Sequence, residues 1–258
     1  MVVPLYLLVV NAFKSQSDII TSPFALDWSR LSFEHMLAAI TSPDFNVISA
    51  YGVTTVFVVV VNLLSLVVTI PVSYVIARAV RRWQRGLLFV LLAGMFIPGQ
   101  VLVIPVIYVL RSIGLMGTVP GFILFETATT IPLSVFLFTS FIQSIPRELD
   151  EAAKIDGAHR LRVLVTVIVP LMRPAIATAV VIHTISIWAD FVNPQIILGP
   201  GSGIYTVTTG VYYAISQYST DYTIVYPNLL LAIAPILLFF VLMQKQIVGG
   251  LTSGALKG

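Results

Sequence analysis

Residues 51–77 read YGVTTVFVVVVNLLSLVVTIPVSYVIA, an apolar stretch with no charged residue. A membrane helix needs about 20 mostly apolar residues. This stretch exceeds that, and four more follow it, at about 87–110, 119–142, 174–193 and 225–247. Pro71, Pro98, Pro105, Pro132 and Pro235 lie inside these runs. A membrane bundle tolerates them, because neighbouring groups satisfy the backbone they release.

Composition agrees. Of 258 residues, 58% are hydrophobic and only 10% are charged, against about 25% charged in an ordinary soluble domain. Mean hydropathy is +0.99. So few charges cannot cover a water-facing surface, which excludes a soluble enzyme, a disordered regulator and a nucleic-acid binder. There is no Cys, so disulfides, Cys-zinc sites and thiol nucleophiles are also excluded.

Residues 1–13, MVVPLYLLVVNAF, are apolar but too few to span. They lack the basic start and the small-residue cleavage site of a secretory signal. They read as the outer half of a further span. The fold expected is an all-α integral membrane protein of about six transmembrane helices, the first truncated, forming a single domain over 1–258.

Charge placement orients the bundle. Arg78, Arg81, Arg82 and Arg85 follow the first full span. Arg147, Lys154, Arg160, Arg162 and Arg173 lie between the third and fourth, and Lys245 and Lys257 close the chain. Eleven of the fourteen basic residues thus fall on one side, leaving Lys14, Arg30 and Arg111 for the other. The excess of positive charge marks the cytoplasmic side. Segments 14–50, 111–118 and 194–224 then face outward, and the C-terminus is cytoplasmic.

The cytoplasmic segment 143–173 reads QSIPRELDEAAKIDGAHRLRVLVTVIVPLMR. It predicts a helix of its own, between the fourth and fifth spans when the truncated one is counted. Pro146 suits a first helical position. Glu148, Asp150 and Glu151 crowd the positive end of the helix dipole. Lys154 stands four residues after Asp150 and three after Glu151, a stabilising spacing. Gly157 supplies the left-handed residue that ends the helix, and Ala152 and Ala153 leave one face flat. Two readings stand on physics alone: a helix inserted into a partner's groove, or a surface helix lying under the bilayer.

The same residues resemble a known family. Glu151-Ala152-Ala153, then Gly157 after three residues, then Val167-Ile168-Val169-Pro170 after nine more, resembles the EAA loop of ABC-type import permeases. The extended form EAAKIDGA resembles the carbohydrate-uptake, maltose-type branch. Ala12-Phe13-Lys14-Ser15, Ile97-Pro98, Ile104-Pro105, Ile113-Gly114-Leu115 and the ending from Gly250 to Gly258 are similar to family segments at those places. One departure is Trp188-Ala189-Asp190-Phe191, where the family carries Asn at the second position.

The resemblance implies a pore subunit that catalyses nothing and binds no cofactor. ATP and Mg would sit on two cytoplasmic ATPase subunits. A second, homologous permease would complete the pore, and an extracytoplasmic solute-binding protein would deliver a sugar. The host would be bacterial or archaeal and the site its inner membrane. Glu151 would meet a basic residue of the ATPase. Ala152 and Ala153 would pack into its groove, Gly157 would permit the turn, and Asp156 and Arg160, with Arg162, would add polar contacts.

Ionisable groups at membrane depth are costly and point to function. Glu126 stands about seven residues into its span, roughly 10 Å below the outer boundary, with Thr130 one turn on. Glu126, Thr130, Trp188, Asp190 and Asn193 are the candidates for a substrate pathway. Hydrogen bonding between spans is the alternative role for such groups. His183 reads as a buried structural histidine and Asp190 as near the outer surface. Tyr205, Tyr212, Tyr213, Tyr218, Tyr222 and Tyr226 suit an interface belt or stacking on sugar rings. Gly199-Pro200-Gly201-Ser202-Gly203 reads as a loop without the Lys-Ser/Thr of a phosphate cradle. Two other readings are open. A stand-alone secondary transporter would show inverted repeats, which are not evident. A membrane enzyme would need a catalytic motif, and none is present.

Overall fold

The computed structural model describes residues 2–42, 45–79, 82–216 and 221–255. Arg81, Tyr218, Lys257 and the tail from Leu256, and the side chains of Arg82, Arg85 and Lys245, lie outside what is described. Among the described residues all regular structure is helical.

Helices α1 (Val2–Asn11), α2 (Gln16–Thr21) and α3 (Glu34–Ile40) precede the first long one. That helix is α4 (Val47–Ala77). It runs 31 residues, about 46 Å at 1.5 Å per residue, so it outreaches a hydrocarbon core of about 30 Å. Pro71 sits inside it without ending it.

The expected span 87–110 is not one helix. It is α5 (Arg82–Met95) and α6 (Gly99–Ser112), 14 residues each. The break follows from Pro98, which has no N–H and biases Ile97 out of helical conformation. Ahead of it the Phe96 and Ile97 N–H groups tighten onto the Ala93 and Gly94 carbonyls, at 3.2 and 3.3 Å.

Helix α7 (Val119–Ser144) is well specified at its start. The Thr118 hydroxyl accepts the Gly121 N–H at 3.2 Å, which relieves one unpaired donor of the first turn. Gly121 is required there: a Cβ would stand 2.1 Å from the Leu115 carbonyl oxygen.

After α7 come α8 (Glu148–Ile155) and α9 (Arg160–Val163), a wider π-type turn at Leu164–Ile168, and α10 (Val169–Leu171). Then comes α11 (Arg173–Ala189). The path from Arg160–Leu171 into Arg173–Ala189 bends by 75°. Pro174 lacks the N–H that would have reached the Pro170 carbonyl, so the ladder fails at that corner. The expected span 174–193 stops at Ala189, because Asp190 turns its side chain onto the next helix.

Helices α12 (Val192–Ile197) and α13 (Val207–Ser216) and a 3-10 turn at Pro200–Ser202 occupy the segment expected to be an outward loop. Helix α14 (Tyr222–Ala255) is the last in the chain among the described residues. Among the described residues three helices, α4, α7 and Tyr222–Gln244 of α14, are long and apolar enough to cross a membrane, or four if the bent pair is one span.

The chain divides into two compact units. One comprises Met1–Val56 with Trp188–Val241, the other Phe57–Ile187 with Leu242–Gly258. In the second unit, Ile70 and Tyr74 of α4, Phe138 and Ile142 of α7, and Val163, Ile168 and Met172 from the bent segment bury one core. In the first, the Val207 N–H donates to the Thr54 hydroxyl at 3.0 Å. The Tyr51 hydroxyl there donates to the Leu231 carbonyl at 2.5 Å.

Candidate functional site

Helix α8 stands out by what it leaves uncovered. Glu151, Ala152, Lys154 and Asp156 are exposed, and Ile155 is 87% exposed. Ala153 is half-buried and packs on the core of its unit. Pro146 lies two residues before the first helical position expected for it, since Arg147 is the N-cap and Glu148 opens the helix.

The helix closes as its glycine requires. Gly157 takes φ +82°. Its N–H donates to the Lys154 carbonyl at 3.0 Å, and the Ala158 N–H reaches back to the Ala153 carbonyl at 2.9 Å. Together these form the six-to-one and five-to-two pairing of a Schellman stop. His159 then caps α9, its Nδ1 accepting the Arg162 N–H at 3.4 Å. Arg160 then opens α9 as an exposed residue.

Asp150 departs from its expected role. It is the only buried residue of α8, with its side chain 5% exposed. Its partner is not Lys154. Asp150 Oδ2 lies 2.7 Å from Arg78 Nη2, and Oδ1 accepts the Tyr74 hydroxyl at 2.6 Å. A buried charge must be paired, and here the guanidinium faces one carboxylate oxygen and the phenol the other. Arg78 also donates through Nη1 to the Ile142 and Ile145 carbonyls, each at 3.1 Å. Those carbonyls lie at the C-terminal end of α7, where acceptors lack helical partners. One side chain therefore joins the ends of α4 and α7 to α8. Tyr74 and Arg78 lay outside the sequence expectations for this site. The available signal was the face of α8: Asp150 is three residues before Ala153, on the side turned to the core.

A cavity of about 590 Å³ opens beside this junction, with Glu151, Lys154, Arg147 and Arg160 on its wall.

The pathway candidates fall in two groups. Glu126 and Thr130 lie one turn apart on α7, 4% and 7% exposed. Thr130 Oγ1 is 2.8 Å from Ser65 Oγ on α4 and 2.7 Å from the Thr127 carbonyl. His183, 3% exposed, sits with Nε2 3.1 Å from Ser134 Oγ, consistent with a structural histidine joining α7 and α11.

In the other unit, Trp188 is 9% exposed. Its indole N–H donates to the Ala232 carbonyl at 3.1 Å, and its ring stacks on Tyr51 at 6.1 Å. Asp190 is held by backbone. Its Oδ1 accepts the Val192 and Asn193 N–H groups at 3.1 and 3.3 Å, so it caps α12. Asn193 lies in the first turn of that helix. Tyr205, Tyr212 and Tyr213 cluster edge to face, at 5.2 and 5.8 Å between rings.

Residues 69–248 match the family described as the binding-protein-dependent transport system inner membrane component. The chain is 32% identical over 260 residues to the diacetylchitobiose uptake system permease protein of Streptomyces coelicolor, covering 99% of this chain and 84% of that one. It is 30% identical over 265 residues to the multiple sugar-binding transport system permease protein of Streptococcus mutans, covering 99% and 91%. Among solved structures, a bacterial ABC transporter that imports the acidic polysaccharide alginate shares the fold. Its TM-score is 0.80 at 21% identity, over 94% of this chain and 89% of that one. The α8 junction lies wholly inside the matched region, and the chain belongs to the binding-protein-dependent transport system inner membrane component family.

Proposed function

We propose that this chain is the permease subunit of an ATP-driven, binding-protein-dependent sugar importer, and that α8 is its contact with a cytoplasmic ATPase. The observation that carries the reading is α8 itself: a short, exposed helix bearing Glu151-Ala152-Ala153 and stopped by Gly157 at φ +82°, within a chain of this family. Sugar as the cargo is supported by the relatives, named for uptake of diacetylchitobiose and of multiple sugars. A second solved alginate transporter, similar at TM-score 0.66, is in complex with a periplasmic protein bound to an alginate pentasaccharide.

In this reading the chain is one permease domain with about six spans, the first partial, and a cytoplasmic C-terminus. A homologous permease completes the pore. Glu151 pairs with a basic residue of the ATPase, Ala152 and Ala153 seat in its groove, and Asp156 and Arg160 add polar contacts. ATP and Mg bind the two ATPase subunits. The sugar passes Glu126, Thr130, Trp188, Asp190 and Asn193.

Gentle-detergent purification of the tagged chain from its host tests this. The expected result is co-purification of an ATPase with a phosphate-binding Gly-rich motif and of a second permease. Recovery of the chain alone, or as a homodimer, contradicts it.

A further inference from the structure

Helix α8 touches its surroundings through very little. Most of its residues are exposed, Ala153 offers a methyl group, and its one buried side chain is Asp150. Apolar contacts resist separation but not sliding. A carboxylate that accepts a phenol's hydrogen bond at 2.6 Å and lies 2.7 Å from a guanidinium resists both, the first through its direction and the second through charge. The guanidinium is itself held by two carbonyls at the end of α7. Further along, α4 and α7 are joined again where Ser65 meets Thr130 at 2.8 Å. The junction thus ties α8 to two long helices at once, and the second contact between those helices lies one turn from Glu126.

We propose that Arg78 and Asp150, steadied by Tyr74, are the positioning residues through which movement of α8 reaches α4 and α7. This rests on the reading of α8 as the ATPase contact. It adds that the transmitting element is one ion pair, not the helix surface. The exposed residues of α8 would receive the partner, and the buried pair would pass the movement on. The two roles fall to different residues of one eight-residue helix: Glu151, Ala152 and Lys154 are exposed, and Asp150 is buried.

The test uses the whole transporter, with both permeases, the ATPases and the binding protein, in proteoliposomes. The readout is sugar moved per ATP hydrolysed, with ATPase co-purification as the check on assembly. Three variants serve: Arg78→Gln, Arg78→Lys, and the double variant Arg78→Met with Asp150→Leu. The double variant removes both charges together, which folded proteins commonly tolerate. The ATPases should co-purify with all three. Sugar per ATP should fall about tenfold, within the usual range for coupling between sites, in Arg78→Gln and in the double variant. Arg78→Lys keeps the charge against Asp150 but loses the paired carbonyl contacts, and should give an intermediate ratio. A double variant that assembles and keeps the wild-type ratio overturns the proposal. Should it fail to insert, Arg78→Lys decides: an intermediate ratio supports the link and an unchanged one overturns it. If the wild-type chain recovers no ATPase, the functional reading falls too, which separates that failure from failure of the link alone.

Discussion

At the scale of single residues, Gly157 carries the sharpest expectation. Its φ of +82° is a region that costs a residue with a side chain on the order of 1–2 kcal/mol. A Cβ there would meet no neighbouring atom, so the penalty is conformational, not steric. Gly157→Asp is expected to insert and hold its fold while uptake falls, measured as sugar uptake against membrane abundance. Glu151→Lys reverses an exposed charge and is expected to keep abundance while losing uptake and ATPase co-purification. Normal uptake in both would remove the role given to α8. Gly121 is the contrasting case. A Cβ there stands 2.1 Å from a backbone oxygen, so Gly121→Ala should lower thermal stability outright. Asp190 makes a third point. Asp190→Ala removes the cap of α12, a loss of about 0.5–2 kcal/mol, whereas Asp190→Asn keeps the acceptor oxygen. A thermal melt that drops for Ala and not for Asn identifies the cap.

At the scale of elements, local signals were readable and distant ones were not. The α8 stop was legible because a Schellman closure is local: the glycine and its two carbonyl partners lie within five residues. The long helix α4 was legible because 27 apolar-rich residues without a charge leave few alternatives. Pro98 was visible too, but whether a proline kinks or breaks a membrane helix depends on what surrounds it, and Pro71, Pro105 and Pro132 do not end theirs. The Asp150–Arg78 pair was hidden for a different reason. Asp150 had a suitable partner nearby in Lys154, and helix spacing favoured it. Burial decided otherwise. The carboxylate faces the core, where Arg78 arrives from 72 positions away in sequence. The Asp190 bonds to the Val192 and Asn193 N–H groups were hidden too: they need the turn after Ala189, which an apolar run conceals.

At the scale of the whole molecule, the topology rests on the distribution of eleven basic residues against three. The absence of cysteine makes this directly testable. Ala152→Cys should react with an impermeant maleimide only from the cytoplasmic side, and Ser202→Cys only from the outside. Opposite accessibility would invert the arrangement and remove α8 from the reach of an ATPase. The central claim is that this chain moves sugar only when a partner's ATP hydrolysis acts through it. The most direct measurement is sugar uptake into proteoliposomes holding both permeases, with the binding protein and ATP supplied, in the presence and absence of the ATPase subunits. The account predicts uptake with the ATPases and none without them. Uptake of equal size without them, driven by an ion gradient, would contradict it.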